Sequence, residues 1–120
     1  MFADYVVLDV SALDALNQLQ VAGQPSFVGG LISDYLNQLE TLTSAIKLNL
    51  GRGDLAGLDK VSHKLKSSSG ALGLKRVEAI CSTIEKGARA GKLEPEAVSA
   101  LEKSLPSARV ALTKYLVRLT

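Results

Sequence analysis

The stretch SHKLKSSSGALGL, Ser62 to Leu74, holds the only histidine of this 120-residue chain, His63. An exposed imidazole ionises near pH ~6.5, so at physiological pH it offers a lone pair for nucleophilic attack. Lys66 lies one helical turn further on, where an ammonium can neutralise a phosphoryl group carried by the ring. Ser67 and Gly70 add little bulk and let another protein's surface come down beside the imidazole. A phosphoryl-aspartate site is acidic, and the surrounding lysines would steer it in. The chemistry that suits these residue types at this spacing is capture of a phosphoryl group from another protein.

Composition narrows the alternatives. The chain is 47% apolar and 22% charged, ordinary for a compact domain, and residues 1–120 are long enough to bury one core. Its net charge of +2 is too balanced for a dedicated nucleic-acid binder, and no Trp with only 4% aromatics argues against base stacking. One His and one Cys make a zinc centre a poor fit, so no metal site is expected. Cys81 sits at an inward helical position and reads as a core thiol. The opening MFADYVVLD lacks the basic start of a secretion signal. No stretch approaches the roughly 20 apolar residues of a membrane span. A cytoplasmic location is therefore expected, with no membrane partner.

The elements that must position His63 are helical throughout. A short first helix is predicted over 11–21, with Leu13, Leu16 and Leu19 as its apolar stripe. A long second helix follows over 26–49, with Phe27, Leu31, Tyr35, Leu39, Leu42, Ile46 and Leu50 at spacings of three and four. Gly51 to Asp54 reads as a joint between helices, glycine serving the C-terminal cap and Asp54 the next N-cap. The Arg52-Gly53-Asp54 tripeptide also spells an integrin-binding motif, which has no support in a chain without an export signal. The third helix is predicted over 55–72, ending at Gly73, with Leu58, Val61, Leu65 and Leu72 inward. The fourth spans 75–90 with Val77, Ile80, Cys81, Ile84 and Ala88 inward. A fifth begins at Pro95 and carries Val98, Leu101, Leu105, Leu112 and Leu116. Pro106 should kink or break it near Ser104. The pattern predicts an all-α fold: an up-down-up-down four-helix bundle with a short extra N-terminal helix.

On the third helix, His63 projects about 160° from the centre of the apolar stripe, on the solvent side. Asp59, Lys66, Ser67 and Gly70 share its side. Lys60 and Lys64 flank it, and Lys75 and Arg76 follow just past the helix end. The result is a flat, locally basic patch around an exposed imidazole.

The run HKLKSSSGALGL closely resembles the signature of histidine-containing phosphotransfer (HPt) domains of bacterial two-component phosphorelays. The continuation KRVEAICSTIEKGARAG resembles that family's next helix. The resemblance implies that His63 accepts and donates the phosphoryl group and that Lys66 supports it. Leu65 would anchor the helix, with Leu72 and Gly73 closing it. Ser67 departs from the glycine usual after the lysine, taking some clearance from a docking partner. Asp59, Lys60, Lys64, Ser67, Gly70, Lys75 and Arg76 would line the docking surface.

The implied partners are response-regulator receiver domains and a hybrid sensor kinase. The chain would need no cofactor of its own, Mg²⁺ coming with the receiver. Without a P-loop or a nucleotide-binding domain it would be a phosphocarrier lacking autokinase activity. It would act as a monomer, since no unbroken apolar patch outside the core is evident. The competing expectation is a non-catalytic receiver- or kinase-binding module in which His63 goes unused.

Overall fold

A computed structural model describes residues 2–119; Met1 and Thr120 lie outside the described residues. The helices are α1 (Val10–Asn17), α2 (Phe27–Arg52), α3 (Leu55–Ala71), α4 (Lys75–Arg89) and α5 (Pro95–Leu119). Each of the first three starts where a short polar side chain can satisfy an orphan backbone N–H. Asp9 accepts from Ser11 N at 3.1 Å, Ser26 from Gly29 N at 2.9 Å and Asp54 from Gly57 N at 2.9 Å. The joint after α2 forms as expected, with Gly53 left-handed at φ 64° and Asp54 N bonded to Asn49 O at 2.9 Å. After α3 the chain turns at Gly73, φ 84°, where a side chain would run into the backbone oxygen of Asp9.

Helices α2 to α5 form the bundle, each packed against its neighbours in the cycle α2–α3–α4–α5, while α1 lies against α2. Connections as short as Gly53-Asp54 force successive helices to run antiparallel. The all-α bundle with a short N-terminal helix is thus the observed architecture. Its centre is a continuous apolar cluster that includes Ile32, Leu39, Ile46, Leu58, Leu65, Ile80, Ile84, Leu101 and Leu112. Leu13 of α1 is fully buried, and Tyr115 Oη donates to Asp14 Oδ1 at 2.7 Å, tying α1 to α5.

Several boundaries and registers differ from the sequence reading. Helix α1 stops at Asn17, so Leu19 is exposed rather than part of a stripe. The segment after α1 is organised instead by Gln20. Its amide donates to the carbonyls of Val21, Gln24 and Pro25, and its Oε1 accepts from Phe27 N. In α2 the inward register is Val28, Ile32, Tyr35, Leu39 and Ile46; Phe27 is exposed and Leu31, Leu42 and Leu50 are half-buried. Helix α5 runs through Pro106 without the break that was one of the two expected outcomes. Pro106 is exposed, so the carbonyl it leaves without a backbone donor lies on the solvent side, where water can satisfy it.

Three buried hydroxyls show how much the packing tolerates. Tyr35 Oη and Ser69 Oγ share a buried hydrogen bond of 2.8 Å between α2 and α3. Thr43 Oγ1, by contrast, is buried with no hydrogen-bond partner among the described residues. Thr43→Val keeps the shape and removes the unsatisfied hydroxyl. It is expected to raise unfolding free energy by about 1 kcal/mol, read by denaturant titration.

A second local cost lies before α5. Glu94 adopts φ 53° ahead of Pro95, a left-handed backbone that side chains adopt with strain. Its stem packs against Gly87, where a side chain on α4 would collide with it. Glu94→Gly is expected to raise the melting temperature, through a gain of up to about 1 kcal/mol.

Candidate functional site

Helix α3 has two sides besides its core face. Asp59, His63, Lys66 and Gly70 meet side chains of α4, and the contacts across that seam define the site. The small residues of the serine-rich stretch divide the work. Ser62 and Ser69 are fully buried, and Ser62 Oγ returns its proton to the Leu58 carbonyl at 2.6 Å. Gly70 makes room for the Glu78 carboxylate of α4, which a side chain there would strike.

His63 is 58% exposed at its side chain, on the solvent face as the periodicity implied. Its Nδ1 lies 2.5 Å from Glu85 Oε2, and Lys66 Nζ donates to Glu85 Oε1 at 2.6 Å. One carboxylate therefore grips the expected acceptor imidazole with one oxygen and the expected phosphoryl-stabilising cation with the other. Arg89, one turn beyond Glu85, approaches the same Oε2 at 3.5 Å and bonds Asp59 Oδ1 through Nε at 3.1 Å.

Glu85 is buried, its side chain only 2% exposed. Burial alone would push its carboxyl up. The hydrogen bonds from Lys66 and His63, with the charges of Lys66 and Arg89, outweigh that and hold it below its ordinary 4.5. Glu85 is thus an ionised acceptor, so the hydrogen of a neutral His63 ring sits on Nδ1, facing it. The lone pair is then on Nε2, the ring nitrogen that Glu85 does not engage, in a side chain more than half exposed. The environment thus leaves Nε2 as the nitrogen with a lone pair to offer.

Glu85 and Arg89 were not singled out from sequence. The signal was present: Glu85 stands four residues after Cys81, within the inward stripe Val77, Cys81, Ile84 and Ala88. A carboxylate in that register requires a cation or hydrogen-bond donors from the facing helix. Arg89 follows by the i,i+4 rule.

The expected docking residues are not all on one open patch. Lys60, Lys64 and Ser67 are exposed on α3 around His63. Asp59 is engaged by Arg89 of α4 rather than by a lysine on its own helix. Gly70 faces Glu78, and Lys75 lies 3.8 Å from the same carboxylate. Arg76 holds the N-terminal segment, donating from Nε to Tyr5 O at 3.0 Å and from Nη2 to Ala3 O at 3.4 Å. Cys81 is buried within the core, and burial, with the nearby Glu85 charge, pushes its thiol up to about 12. Among the described residues no group of His, Cys, Asp and Glu could hold a metal ion, and no helix is long and apolar enough to cross a membrane.

Comparison with known proteins supplies the family. The model of the Hpt domain matches residues 30–111, which include the whole of α3 and α4. Histidine-containing phosphotransfer protein 5 of Arabidopsis thaliana is 31% identical over 90 residues, covering 67% of this chain and 57% of the relative. Phosphorelay intermediate protein YPD1 of Saccharomyces cerevisiae is 38% identical over 60 residues, covering 49% of this chain and 36% of the relative. Multistep phosphorelay regulator 1 of Schizosaccharomyces pombe is 28% identical over 85 residues, 71% of this chain and 29% of that protein. The chain thus spans less than two thirds of the length of these curated relatives.

Among solved structures, histidine-containing phosphotransfer protein B (HptB) of Pseudomonas aeruginosa shares the fold with a TM-score of 0.84 at 21% identity, covering 93% of this chain and 96% of that one. Ypd1 of Saccharomyces cerevisiae, crystallised with the receiver domain of its downstream response regulator Ssk1, shares it with a TM-score of 0.69 at 20% identity, covering 95% of this chain and 92% of that one. With the family model matching over most of the bundle, including the helix that carries His63, this chain belongs to the Hpt domain family.

Proposed function

We propose that this chain is a histidine phosphotransfer protein of a phosphorelay. His63 takes a phosphoryl group from a receiver-domain aspartate and passes it to another receiver. The observation that carries the reading is the bond from His63 Nδ1 to the buried, ionised Glu85, which leaves Nε2 as the nucleophile. Membership of the family and the receiver domain seen bound to a relative of the same fold support the choice of partner.

In the transfer, the Nε2 lone pair forms a bond to phosphorus while the bond from phosphorus to the aspartyl oxygen breaks. The aspartate leaves with that electron pair as a carboxylate. The ring keeps its Nδ1 hydrogen and becomes a cation, and the Glu85 carboxylate already lies against it. No proton has to enter or leave. The reverse step needs only a second receiver aspartate in line with phosphorus. Lys66 supports the phosphoryl charge by turning from Glu85 toward the outer oxygens, and Arg89 remains to pair with Glu85.

The chain needs no cofactor of its own; the Mg²⁺ that neutralises the phosphate charge belongs to the receiver. A hybrid sensor kinase would supply the first receiver. The protein would work as a cytoplasmic monomer.

The test is incubation with a phosphorylated receiver domain, followed by analysis of the labelled product. Label that is acid-labile, alkali-stable and located on Nε2 by NMR is expected. Stoichiometric binding of receivers without label would replace the carrier reading with that of a non-catalytic binding module. Label on Nδ1 would show that the Glu85 contact does not set the reactive nitrogen.

A further inference from the structure

Beside the His63 site, on the outer face of α4, lies an open groove of about 450 Å³. Its walls include Lys66 of α3, Lys75, Ser82, Thr83 and Lys86 of α4, and Tyr5 of the N-terminal segment. Glu78 is the single carboxylate among three lysines there; it lies near Lys75 and is tucked against Gly70. The groove on the other side of α4, toward α5, has no such surplus, since Arg76 and Lys103 are matched by Glu94 and Glu96. The positive excess is therefore confined to the side of α4 that continues into the His63 site.

The continuity is physical, because the Lys66 ammonium that bonds Glu85 beside His63 also lines the groove. Tyr5 is held in place at the rim. Arg76 accomplishes this from within α4, its Nε bonding the Tyr5 carbonyl and its backbone N–H the Val6 carbonyl at 3.0 Å.

We infer that this groove is a second docking contact for the receiver partner and takes an acidic segment that flanks its phosphoryl-aspartate site. The inference rests on the phosphotransfer reading and goes beyond it by assigning partner choice to α4 as well as to the outward face of α3. His63 and Glu85 meet across the α3–α4 seam, and Lys86 stands on α4 immediately after Glu85. Cationic side chains around an open, hydroxyl-lined depression favour carboxylates over an apolar surface. The net charge of +2 favours a protein over a nucleic acid.

The test measures binding of purified receiver domains, using the one that binds wild type most tightly. Lys86→Glu is expected to raise Kd about five- to tenfold at low salt and to flatten its dependence on ionic strength. Lys86→Arg should restore wild-type affinity. Lys103→Glu makes the same charge change in the groove toward α5 and should leave Kd within about twofold. Equal losses from Lys86→Glu and Lys103→Glu would reduce the effect to net charge and overturn the proposal. An unchanged Kd for Lys86→Glu, or no receiver binding by wild type, would overturn it too. Because the readout is binding, a wild type that binds through Lys86 yet takes no phosphoryl group would sink the carrier reading alone.

Discussion

His63→Gln is expected to abolish phosphoryl acceptance completely while the domain stays folded. The amide of glutamine has no lone pair basic enough to attack phosphorus, so the loss is one of chemistry rather than of docking. The fold survives because the imidazole is 58% exposed and lies outside the apolar core. Glutamine also suits the position better than alanine does. Its N–H can replace Nδ1–H as donor to Glu85, so the buried carboxylate keeps a partner besides Lys66 and Arg89. A shift in melting temperature of no more than about 3 °C is expected by circular dichroism. Receiver binding should persist, since the docking residues are untouched. A variant that unfolded would place His63 in the structural frame; one that still carried acid-labile label would move the acceptor elsewhere.

Glu85→Ala is expected to slow transfer to His63 by about 10²-fold, and Glu85→Gln by about tenfold. Alanine removes both the orientation of the ring and the charge that pairs with the cation formed on phosphorylation. Glutamine keeps an acceptor for Nδ1–H but loses the charge, so the two variants separate positioning from electrostatics. Binding of the receiver should be nearly unchanged in both, which a general structural role for Glu85 would not predict.

The same residue sets an acid limit on stability. Because the folded carboxyl titrates below its ordinary 4.5, its contribution is fully present above that pH and fades as pH falls through the lower folded value. Wild type should lose stability relative to Glu85→Gln across that acid window, in denaturant titrations run between pH 6 and the acid limit of folding. Parallel curves for the two proteins would mean that the ion cluster of Glu85, Lys66, His63 and Arg89 contributes no net stability.

Much of the molecule was legible in the chain itself. The spacing of Leu58 and Leu65 against His63 and Lys66 placed the core and solvent faces of α3 correctly, because a helix converts residue number into direction. Asp54 and Gly53 marked a helix joint because few residue types can cap a helix or adopt positive φ. The break that the same local logic allowed in α5 does not occur, because Pro106 lies on the exposed side of a helix held by Leu101, Ala108 and Leu112. Packing on the far face outweighed the missing backbone bond there. The inward register of α2 slipped, since a stripe rich in leucine permits more than one inward choice until the facing helices select Val28 and Ile32.

Sequence periodicity alone gives the type of element and places His63 on the solvent side of its helix with Lys66 one turn away. All of these rest on relations within a single helix. Which groups meet across helices is settled by packing alone. Glu85 lies 22 residues from His63 in the chain, and no rule of periodicity joins them. Arg76, close to the site in sequence, is drawn off to the N-terminal segment, and Gly70 is spent on admitting Glu78. The choice between the two ring nitrogens of His63 depends on the packing of α4 against α3, because a tautomer is set by whatever charge the fold brings to one side of the ring.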